Sequence, residues 1–599
     1  MSQFFKFLFA SCLGTALALG LLFFVGASWL AGLAGKATED TIVKMEPNSV
    51  LELDFHHLIP EKTNNTPMPA FDPNQEKVLG LTDMVAAIRR AKEDPNIKGI
   101  YLNVPYVMAG KATAATLREA LLDFKTSRKF IVSYAHFYTQ GAYYMASAAD
   151  SVLLNPVGAV DFRGYASQVA YYQGLLKKLD VDVQVFYVGK FKSATEPFRS
   201  DHMSDENRLQ VRQYLTVLND ILLRDVAASR NIPETELRQI ANRFDGISAE
   251  GSLRNHLVDR LAHEDEAYLL MKQLIGLSEK DKLHRITIED YFTAKGGRKI
   301  DFSVKDKIAV VYAEGSINDG EEGDPGEIYD GKYVKILREI RKNDQIKALV
   351  LRVNSPGGSV LASENIFREV MLCKQAGKPV VVSMGDVAAS GGYYIACQAD
   401  SIFAEPGTIT GSIGVFGMIP MLDKTMKNKL GITYDTVRTG KFSAFGSPFI
   451  AFSEEEKGLI QGRINATYED FLNKVATGRH KSRDAVHEIA QGRVWTGVKA
   501  KEIGLVDEMG GLDRAIASAA KLAQLSKYRT AEYPRSQTGL EQFIDRFTKK
   551  KDHTDDDVKA WLVRSQLSDL YPTYQLLRDL RQNKGVTIQA RLPWQITVN

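Results

Sequence analysis

Two stretches, "YTQGAYYMASAADSVLLNPVGAV" (residues 138–160) and "AASGGYYIACQADSIFAEPGTIT" (residues 388–410), share one pattern and start 250 residues apart. The similarity continues close to this spacing on both sides, where "KGIYLNV" resembles "KALVLRV" and "HLVD" resembles "GLVD". Self-similarity over such a length indicates a duplicated structural unit. We define the first copy as residues 45–275 and the second copy as residues 305–523.

Each copy alternates between strand-like and helix-like segments. The runs "KIAVVYAEGSI" and "IKALVLRV" are short, rich in β-branched residues and bounded by turn residues, which is typical of buried strands. The segment "ASENIFREVMLCKQAGK" has apolar residues at helical spacing and ends in glycine, as helices commonly do. Strand–helix–strand succession favours a parallel sheet covered by helices. The sequence therefore predicts an α/β fold with two tandem α/β domains, at residues 37–300 and 301–530.

The bulk composition narrows the class of protein. The 599 residues are 44% hydrophobic, and 76 basic residues nearly balance 73 acidic ones, which gives no reason to expect nucleic acid as a partner. Three cysteines, Cys12, Cys373 and Cys397, form no disulfide framework. Neither an H-E-x-x-H nor a C-x-x-C motif occurs, so no metal site is expected.

The two ends of the chain lie outside the duplication. Residues 7–35 carry no charged side chain, a run too long for a cleaved signal peptide and long enough to span a bilayer. We therefore expect residues 1–36 to form a cytoplasmic stub and an uncleaved transmembrane signal anchor, with the body on the outer side of the membrane. Residues 531–599 are predicted to form a helical tail that packs against the body or a neighbouring subunit, with binding to a membrane surface as the alternative.

The two copies differ at positions where chemistry would be carried out. The second copy has Ser390 where the first has Gln140, and Ser412 where the first has Phe162. A structural requirement shared by both copies cannot explain these differences. They indicate that the second copy holds a candidate nucleophile. A serine hydroxyl needs an adjacent base, and this serine has no histidine nearby in the sequence.

The first copy keeps the complementary residue. Lys192, in "GKFKSA", corresponds to Ser443 in the second copy, whereas Lys190 is matched by Lys441 and is predicted to be structural. This complementary loss favours a single composite site to which both copies contribute. We interpret Lys192 as the general base for Ser390.

A lysine can act as a base at neutral pH only when its pKa falls far below the usual value of about 10.4. Burial at an interface disfavours the ammonium form and lowers the pKa of a lysine by several units. Ser412 would orient the amine by a hydrogen bond, as the third member of other triads does. Glu196 lies four residues after Lys192 and would raise the lysine pKa, so we expect its side chain to point away from the site.

Glycines are placed to stabilise a tetrahedral intermediate. Gly357 and Gly358, in "NSPGGSV", follow a predicted strand, and Gly391 directly follows the candidate nucleophile. Backbone N–H groups at such positions form oxyanion holes, because the missing Cβ allows close approach.

If Lys192 is not the base, His136 or Lys190 must be reconsidered.

These motifs resemble those of the signal peptide peptidase A family, also called protease IV, in its long duplicated form. The family belongs to the Clp-protease/crotonase superfamily. The resemblance covers nearly the whole chain and rests on "GKFKSATEPF", "DVAASGGYY", "NSPGGSV" and "TGSIG". It implies Clp/crotonase-like domains, a serine endopeptidase with a Ser390–Lys192 dyad assisted by Ser412, and no cofactor.

The resemblance also implies a setting for the enzyme. It would be a bowl-shaped homotetramer on the bacterial inner membrane, with the catalytic body on the periplasmic side. Its substrates would be cleaved remnant signal peptides and other apolar peptides.

Two rival interpretations come from other classes, namely a crotonase-like acyl-CoA enzyme and a catalytically inactive membrane scaffold. The sequence does not determine the side-chain preference at the cleavage point. We expect Ser390 and Lys192 to pair within one chain, because both copies are present in it.

Overall fold

A computed structural model describes residues 45–55, 57–63, 78–297, 301–323 and 326–535, together with a backbone strand at Ile588–Arg591. The predicted anchor at residues 7–35 lies outside the described residues, as does the tail beyond residue 535 apart from that strand. Within the described part of the chain, no helix is both long and apolar enough to cross a membrane.

Seven strands and ten α-helices precede residue 298 in the described chain, besides two 3-10 turns at Ser193–Thr195 and Asp245–Ile247. The strands are β1 (Ser49–Leu53), β2 (Ile97–Leu102), β3 (Phe130–Tyr138), β4 (Ser151–Val160), β5 (Asp182–Tyr187), β6 (Arg260–Leu261) and β7 (Arg285–Thr287). The helices are α1 (Leu81–Glu93), α2 (Lys111–Lys125), α3 (Gln140–Ala146), α4 (Gln173–Lys178), α5 (Glu196–Arg199), α6 (Asp205–Arg230), α7 (Glu234–Arg243), α8 (Ala249–Arg254), α9 (Glu264–Ile275) and α10 (Ile288–Ala294). Six of these strands form a parallel sheet in the order β6–β4–β3–β2–β1–β7.

The second copy repeats this plan with additions. Its strands are β8 (Lys307–Glu314), β9 (Ile317–Asn318), β10 (Ile328–Tyr329), β11 (Ile346–Ser355), β12 (Gly357–Ser359), β13 (Val380–Ala389), β14 (Ser401–Ala404), β15 (Ile409–Gly411), β16 (Phe416–Met421), β17 (Val494–Thr496), β18 (Glu508–Met509) and β19 (Arg529–Tyr533). Its helices are α11 (Asp330–Lys342), α12 (Val360–Gln375), α13 (Gly391–Tyr394), α14 (Asp423–Leu430), α15 (Glu454–Gly478), α16 (Arg483–Ile489), α17 (Gly497–Glu502) and α18 (Leu512–Leu522).

An eight-stranded sheet forms the centre of the second copy. Six of its strands follow the order β17–β15–β13–β11–β8–β19, and β14 and β18 complete it beside β13. Strands β8, β11 and β13 are almost wholly buried because helices cover both faces of the sheet. The predicted strands at β8 and β11 and the predicted helix at α12 are confirmed, and so is the α/β class.

The two copies are joined by a third, mixed sheet. Strand β5 of the first copy pairs antiparallel with β16 of the second, from Tyr187 opposite Phe416 to Asp182 opposite Met421. The sheet has the order β10–β9–β12–β20–β16–β5, where β20 is the strand Ile588–Arg591. Its central strands lie next to the candidate site.

Buried polar contacts also bind the copies to each other. Glu61 of the first copy forms a bidentate ion pair with Arg352 of β11, at 2.9 and 3.0 Å, and each side chain is only 2% exposed. Asp386 of β13 accepts hydrogen bonds from the backbone N–H groups of Ala112 and Thr113 at the start of α2, at 2.8 and 3.0 Å. Asp386 therefore holds the strand that ends directly before Ser390 against a helix of the other copy.

Candidate active site

Ser390 lies at a sharp turn between β13 and α13. Its backbone has φ +54° and ψ −115°, a conformation that residues other than glycine rarely adopt. The turn is held by the Ser390 N–H, which donates to the carbonyl of Gly411 at 2.8 Å. Strained backbone of this kind concentrates at functional sites, because the surrounding structure must enforce it. Ser390 is fully buried.

Lys192 follows β5 and enters the same buried space from the first copy. Its Nζ lies 2.9 Å from Ser390 Oγ, 3.1 Å from Ser412 Oγ and 3.3 Å from the Ser412 carbonyl oxygen. The three side chains are at most 1% exposed. The structure thus brings the three predicted residues together within one chain. The turn at Ser412, with φ +49°, is held by its N–H, which donates to the Arg493 carbonyl at 2.7 Å.

Close backbone packing makes room for the lysine. A Cβ on Gly492 would lie 2.6 Å from the Cβ of Lys192, and one on Gly414 would lie 3.3 Å from its Cδ. Both glycines belong to the second copy. The lysine stem therefore fits between backbone segments that a side chain would block.

Burial sets the electrostatics of the lysine. Desolvation lowers the pKa of Lys192 to about 7, because a buried ammonium loses its hydration. The side chain of Glu196 is directed elsewhere: its carboxylate accepts from Asn207 Nδ2 at 2.7 Å and also from the Ser204 hydroxyl. The expectation that Glu196 points away from the site is confirmed. Among the described residues, no carboxylate opposes the lowering of the lysine pKa.

The predicted oxyanion glycines lie near the serine but have different surroundings. The Gly357 N–H donates to Ser355 Oγ at 3.1 Å, and Gly357 has φ +95°. A Cβ on Gly358 would lie 2.0 Å from the Ile317 carbonyl oxygen, so only glycine fits there. Gly391 is the first residue of α13, where a backbone N–H has no acceptor within the helix. Cα atoms of β12 and α13 come within 8 Å of each other.

The alternative bases occupy other environments. His136 is exposed on β3, where its Nδ1 lies 3.3 Å from Asn155 Nδ2 and 3.5 Å from the Tyr134 hydroxyl. Lys190 is exposed as well. Neither residue has a described contact with Ser390.

In the first copy, a buried amide fills the position that corresponds to Ser390. Gln140 Oε1 accepts from the N–H groups of Arg163 and Gly164, at 3.2 and 2.8 Å, and its Nε2 donates to the Gly164 carbonyl. Phe162, the counterpart of Ser412, packs edge-on against Tyr143. The first copy therefore keeps the fold of the site without its hydroxyl groups.

One supporting residue escaped the sequence analysis. Gln210, buried on α6, donates through Nε2 to the Phe191 carbonyl and to Ser193 Oγ, at 3.0 and 3.1 Å. Its Oε1 accepts from the Val494 N–H at 3.2 Å. Gln210 thus forms hydrogen bonds with the residues on both sides of Lys192 and connects them to β17 of the second copy. Gln210 is one of many polar residues in a 26-residue helix, so nothing in the sequence indicates this role.

Comparison with known proteins identifies the family. Residues 123–278 and 373–526 each match the family described as Peptidase family S49. The chain is 39% identical to Protease 4 of Salmonella typhi over 477 residues, covering 78% of this chain and 76% of that protein. It is 36% identical to Protease 4 of Haemophilus influenzae, with 82% and 78% covered, and 32% identical to the chloroplastic serine protease SPPA of Arabidopsis thaliana, with 78% and 69% covered.

The two matched segments start 250 residues apart, which confirms the duplication. The predicted resemblance is confirmed too, and with it a peptidase rather than an acyl-CoA enzyme. The chain belongs to peptidase family S49 and is a serine peptidase of the signal peptide peptidase type.

Proposed function

We propose that the chain hydrolyses peptide bonds with Ser390 as nucleophile, Lys192 as general base and acid, and Ser412 as the residue that orients the lysine amine. The observation that carries this proposal is the buried contact of Lys192 Nζ with both serine hydroxyls, at 2.9 and 3.1 Å. These distances are within the range for proton transfer along a hydrogen bond.

Neutral Lys192 takes the proton of Ser390 as the Oγ attacks the scissile carbonyl carbon. The resulting ammonium gives this proton to the leaving amine, and the C–N bond breaks to leave an acyl ester on Ser390. The amine, again neutral, then takes a proton from water, and the hydroxide equivalent attacks the ester. Collapse of the second tetrahedral intermediate returns the proton to Ser390 and releases the acid.

The negative oxygen of each tetrahedral intermediate needs N–H donors that are already in place. Gly358 and Gly391 are our preferred donors. The Gly391 N–H starts a helix, whereas the Gly357 N–H already has the Ser355 hydroxyl as its acceptor. Gly357 would then act through its φ of +95°, which fixes the turn that precedes Gly358.

We infer that the substrates are remnant signal peptides and other apolar peptides, cleaved at the outer face of the bacterial inner membrane. The charge-free run at residues 7–35 supports a transmembrane anchor. A relative from Enterococcus faecium, 38% identical over 209 residues, is described as a putative signal peptide peptidase. We propose that the two α/β domains behind this anchor are of the Clp/crotonase type.

We propose a homotetramer, and an apolar arm that starts at the last residue of α14 supports self-association of the chain. Within residues 430–445, Leu430, Val437 and Phe445 are 61%, 98% and 41% exposed. Exposed apolar side chains that cluster in one segment are typical of interaction sites. We assign it to a second copy of this chain, and Val437→Glu should shift the oligomer to smaller species in light scattering.

Hydrolysis of a fluorogenic apolar peptide by the purified full chain tests the chemistry. Ser390→Ala and Lys192→Ala should each lose about 10³-fold or more in kcat, as expected for removal of a nucleophile or its base. Lys190→Ala is the matched control, since this exposed lysine lies two residues away and should keep normal activity. Near-normal activity of Lys192→Ala in a correctly folded protein would refute the dyad.

A further inference from the structure

The strand Ile588–Arg591 occupies a gap between two strands that border the active site. It runs antiparallel to β12, with Arg591 opposite Gly357, Ala590 opposite Gly358 and Gln589 opposite Ser359. On its other side it runs antiparallel to β16, with Gln589 opposite Phe416. The C-terminal segment thus forms the central strand of the sheet that joins the two copies.

Both neighbouring strands contribute to the site of peptide hydrolysis. Strand β12 contains the glycine pair, and the ring centroid of Phe416, where β16 begins, lies 5.9 Å from Lys192 Nζ. Cα atoms of the C-terminal strand also come within 8 Å of those of α13, the helix that starts directly after Ser390. The register places the backbone of Arg591 beside the glycines assigned to the oxyanion.

The gap suits an extended chain of any sequence. In the described sheet β12 and β16 do not pair with each other, and the backbone groups on their facing edges are met by β20. Strand edges of this kind bind peptides through main-chain hydrogen bonds, which supply affinity without regard to side chains. A peptidase that degrades varied peptides needs this mode of binding.

We propose that residues 588–591 are a resident occupant of the peptide-binding cleft and compete with substrate for it. This inference rests on the proposed function, because it identifies the gap with the cleft that serves Ser390. The occupant is the chain's own C-terminal segment, bound as an extended strand antiparallel to both walls. A free peptide must displace it before hydrolysis.

The expected strength of this competition follows from tethering. A segment that belongs to the same chain as its binding site has an effective concentration on the order of 1 mM. If the isolated segment binds with a dissociation constant of about 0.1 mM, the cleft is occupied about ten times out of eleven. Removing the segment from the cleft should then lower KM about tenfold and leave kcat unchanged.

The test uses the full chain with Gln589→Pro, because Gln589 pairs on both sides and proline removes a backbone N–H from the strand. Gln589→Thr is the matched control, since it changes the same residue and keeps the N–H. Gln589→Pro should lower KM for the fluorogenic apolar peptide about tenfold, and Gln589→Thr should leave KM unchanged. An unaltered KM in Gln589→Pro would overturn the proposal.

A second measurement covers the case in which the proline variant folds poorly. A fluorescein-labelled peptide of residues 586–593 should bind the Ser390→Ala chain weakly and the Ser390→Ala, Gln589→Pro chain about tenfold more tightly, by fluorescence polarisation. Absence of binding to both chains would overturn the inference. If Ser390→Ala alone keeps normal hydrolysis, the proposed function fails and this inference fails with it; if Ser390→Ala is inactive but neither chain binds the peptide, only this inference fails.

Discussion

The buried lysine predicts a distinctive dependence of peptide hydrolysis on pH. Only the neutral amine of Lys192 can take the serine proton, so activity should rise as the pH passes through the lysine pKa. Burial lowers this pKa from 10.5 to about 7. The free amine is then about 9% of the population at pH 6, 50% at pH 7 and 91% at pH 8.

These fractions give a sharp expectation for kcat/KM, which reports the ionisation of the free enzyme. It should increase about tenfold between pH 6 and pH 8 and then reach a plateau. An exposed lysine with an ordinary pKa would instead give a rise of about a hundredfold over the same interval, with no plateau below about pH 10. The two cases differ in slope as well as in midpoint.

The assay is hydrolysis of the fluorogenic apolar peptide from pH 5.5 to pH 9.5 at constant ionic strength, with circular dichroism as a check of folding. Glu196→Gln is the control, because this carboxylate is bound to Ser204 and Asn207 and should not influence the lysine. A kcat/KM that keeps rising above pH 9 in wild type would refute the argument from burial. A midpoint that moves in Glu196→Gln would show that the carboxylate does act on Lys192.

Three further predictions concern the packing around this site. Lys192→Met should abolish activity yet stabilise the fold at pH 7. Keeping the buried amine neutral at this pH costs about 4 kcal/mol. The variant avoids this cost but loses the hydrogen bonds of the amine, so the free energy of unfolding should rise by about 2 kcal/mol. Since the cost vanishes above about pH 10.5, urea midpoints at pH 7 and pH 10 should show a gain only at pH 7. Gly492→Ala should impair hydrolysis because its Cβ would lie 2.6 Å from the Cβ of Lys192. Gly431→Ala is the control, since Gly431 also has a positive φ but lies in open space, so the variant should show only backbone strain and keep full kcat. Glu61→Ala should lower the free energy of unfolding by about 3–5 kcal/mol in urea titration, because it leaves the Arg352 guanidinium buried and unpaired.

The parts of this structure that the sequence could predict depend on local signals or on comparison of the two copies. Runs of β-branched residues predict strands such as β11, and the spacing of apolar residues together with a terminal glycine predicts helices such as α12. Ser390, Ser412 and Lys192 were identified because each is missing from the other copy. Duplication thus supplied the comparison that a single sequence otherwise lacks.

The parts that escaped prediction depend on which distant segments pair. Nothing local marks β5 as a partner of β16, or Glu61 as the partner of Arg352, since the two members of each pair lie more than 200 residues apart. The same holds for Gln210, whose amide matters only because Val494 arrives opposite it. The C-terminal strand was predicted as part of a helical tail, because four residues in a mixed segment carry no strand signal without the two edges that receive them.

In the mechanism that we propose, the division of the site between the copies is what allows a lysine to serve as the base. Lys192 loses its proton at neutral pH only because it is buried, and the walls that bury it, at Gly414, Gly492 and Ser412, come from the other copy. The contacts that hold the copies together, such as the hydrogen bonds from α2 to Asp386 four residues before the serine, therefore also control the lysine pKa. In a chain whose copies had not yet docked, Lys192 would be hydrated and protonated, and Ser390 would have no base. If Lys192 is the base, as we propose, the peptidase is inactive until both copies have folded and docked, and an incompletely folded chain does not cleave its neighbours.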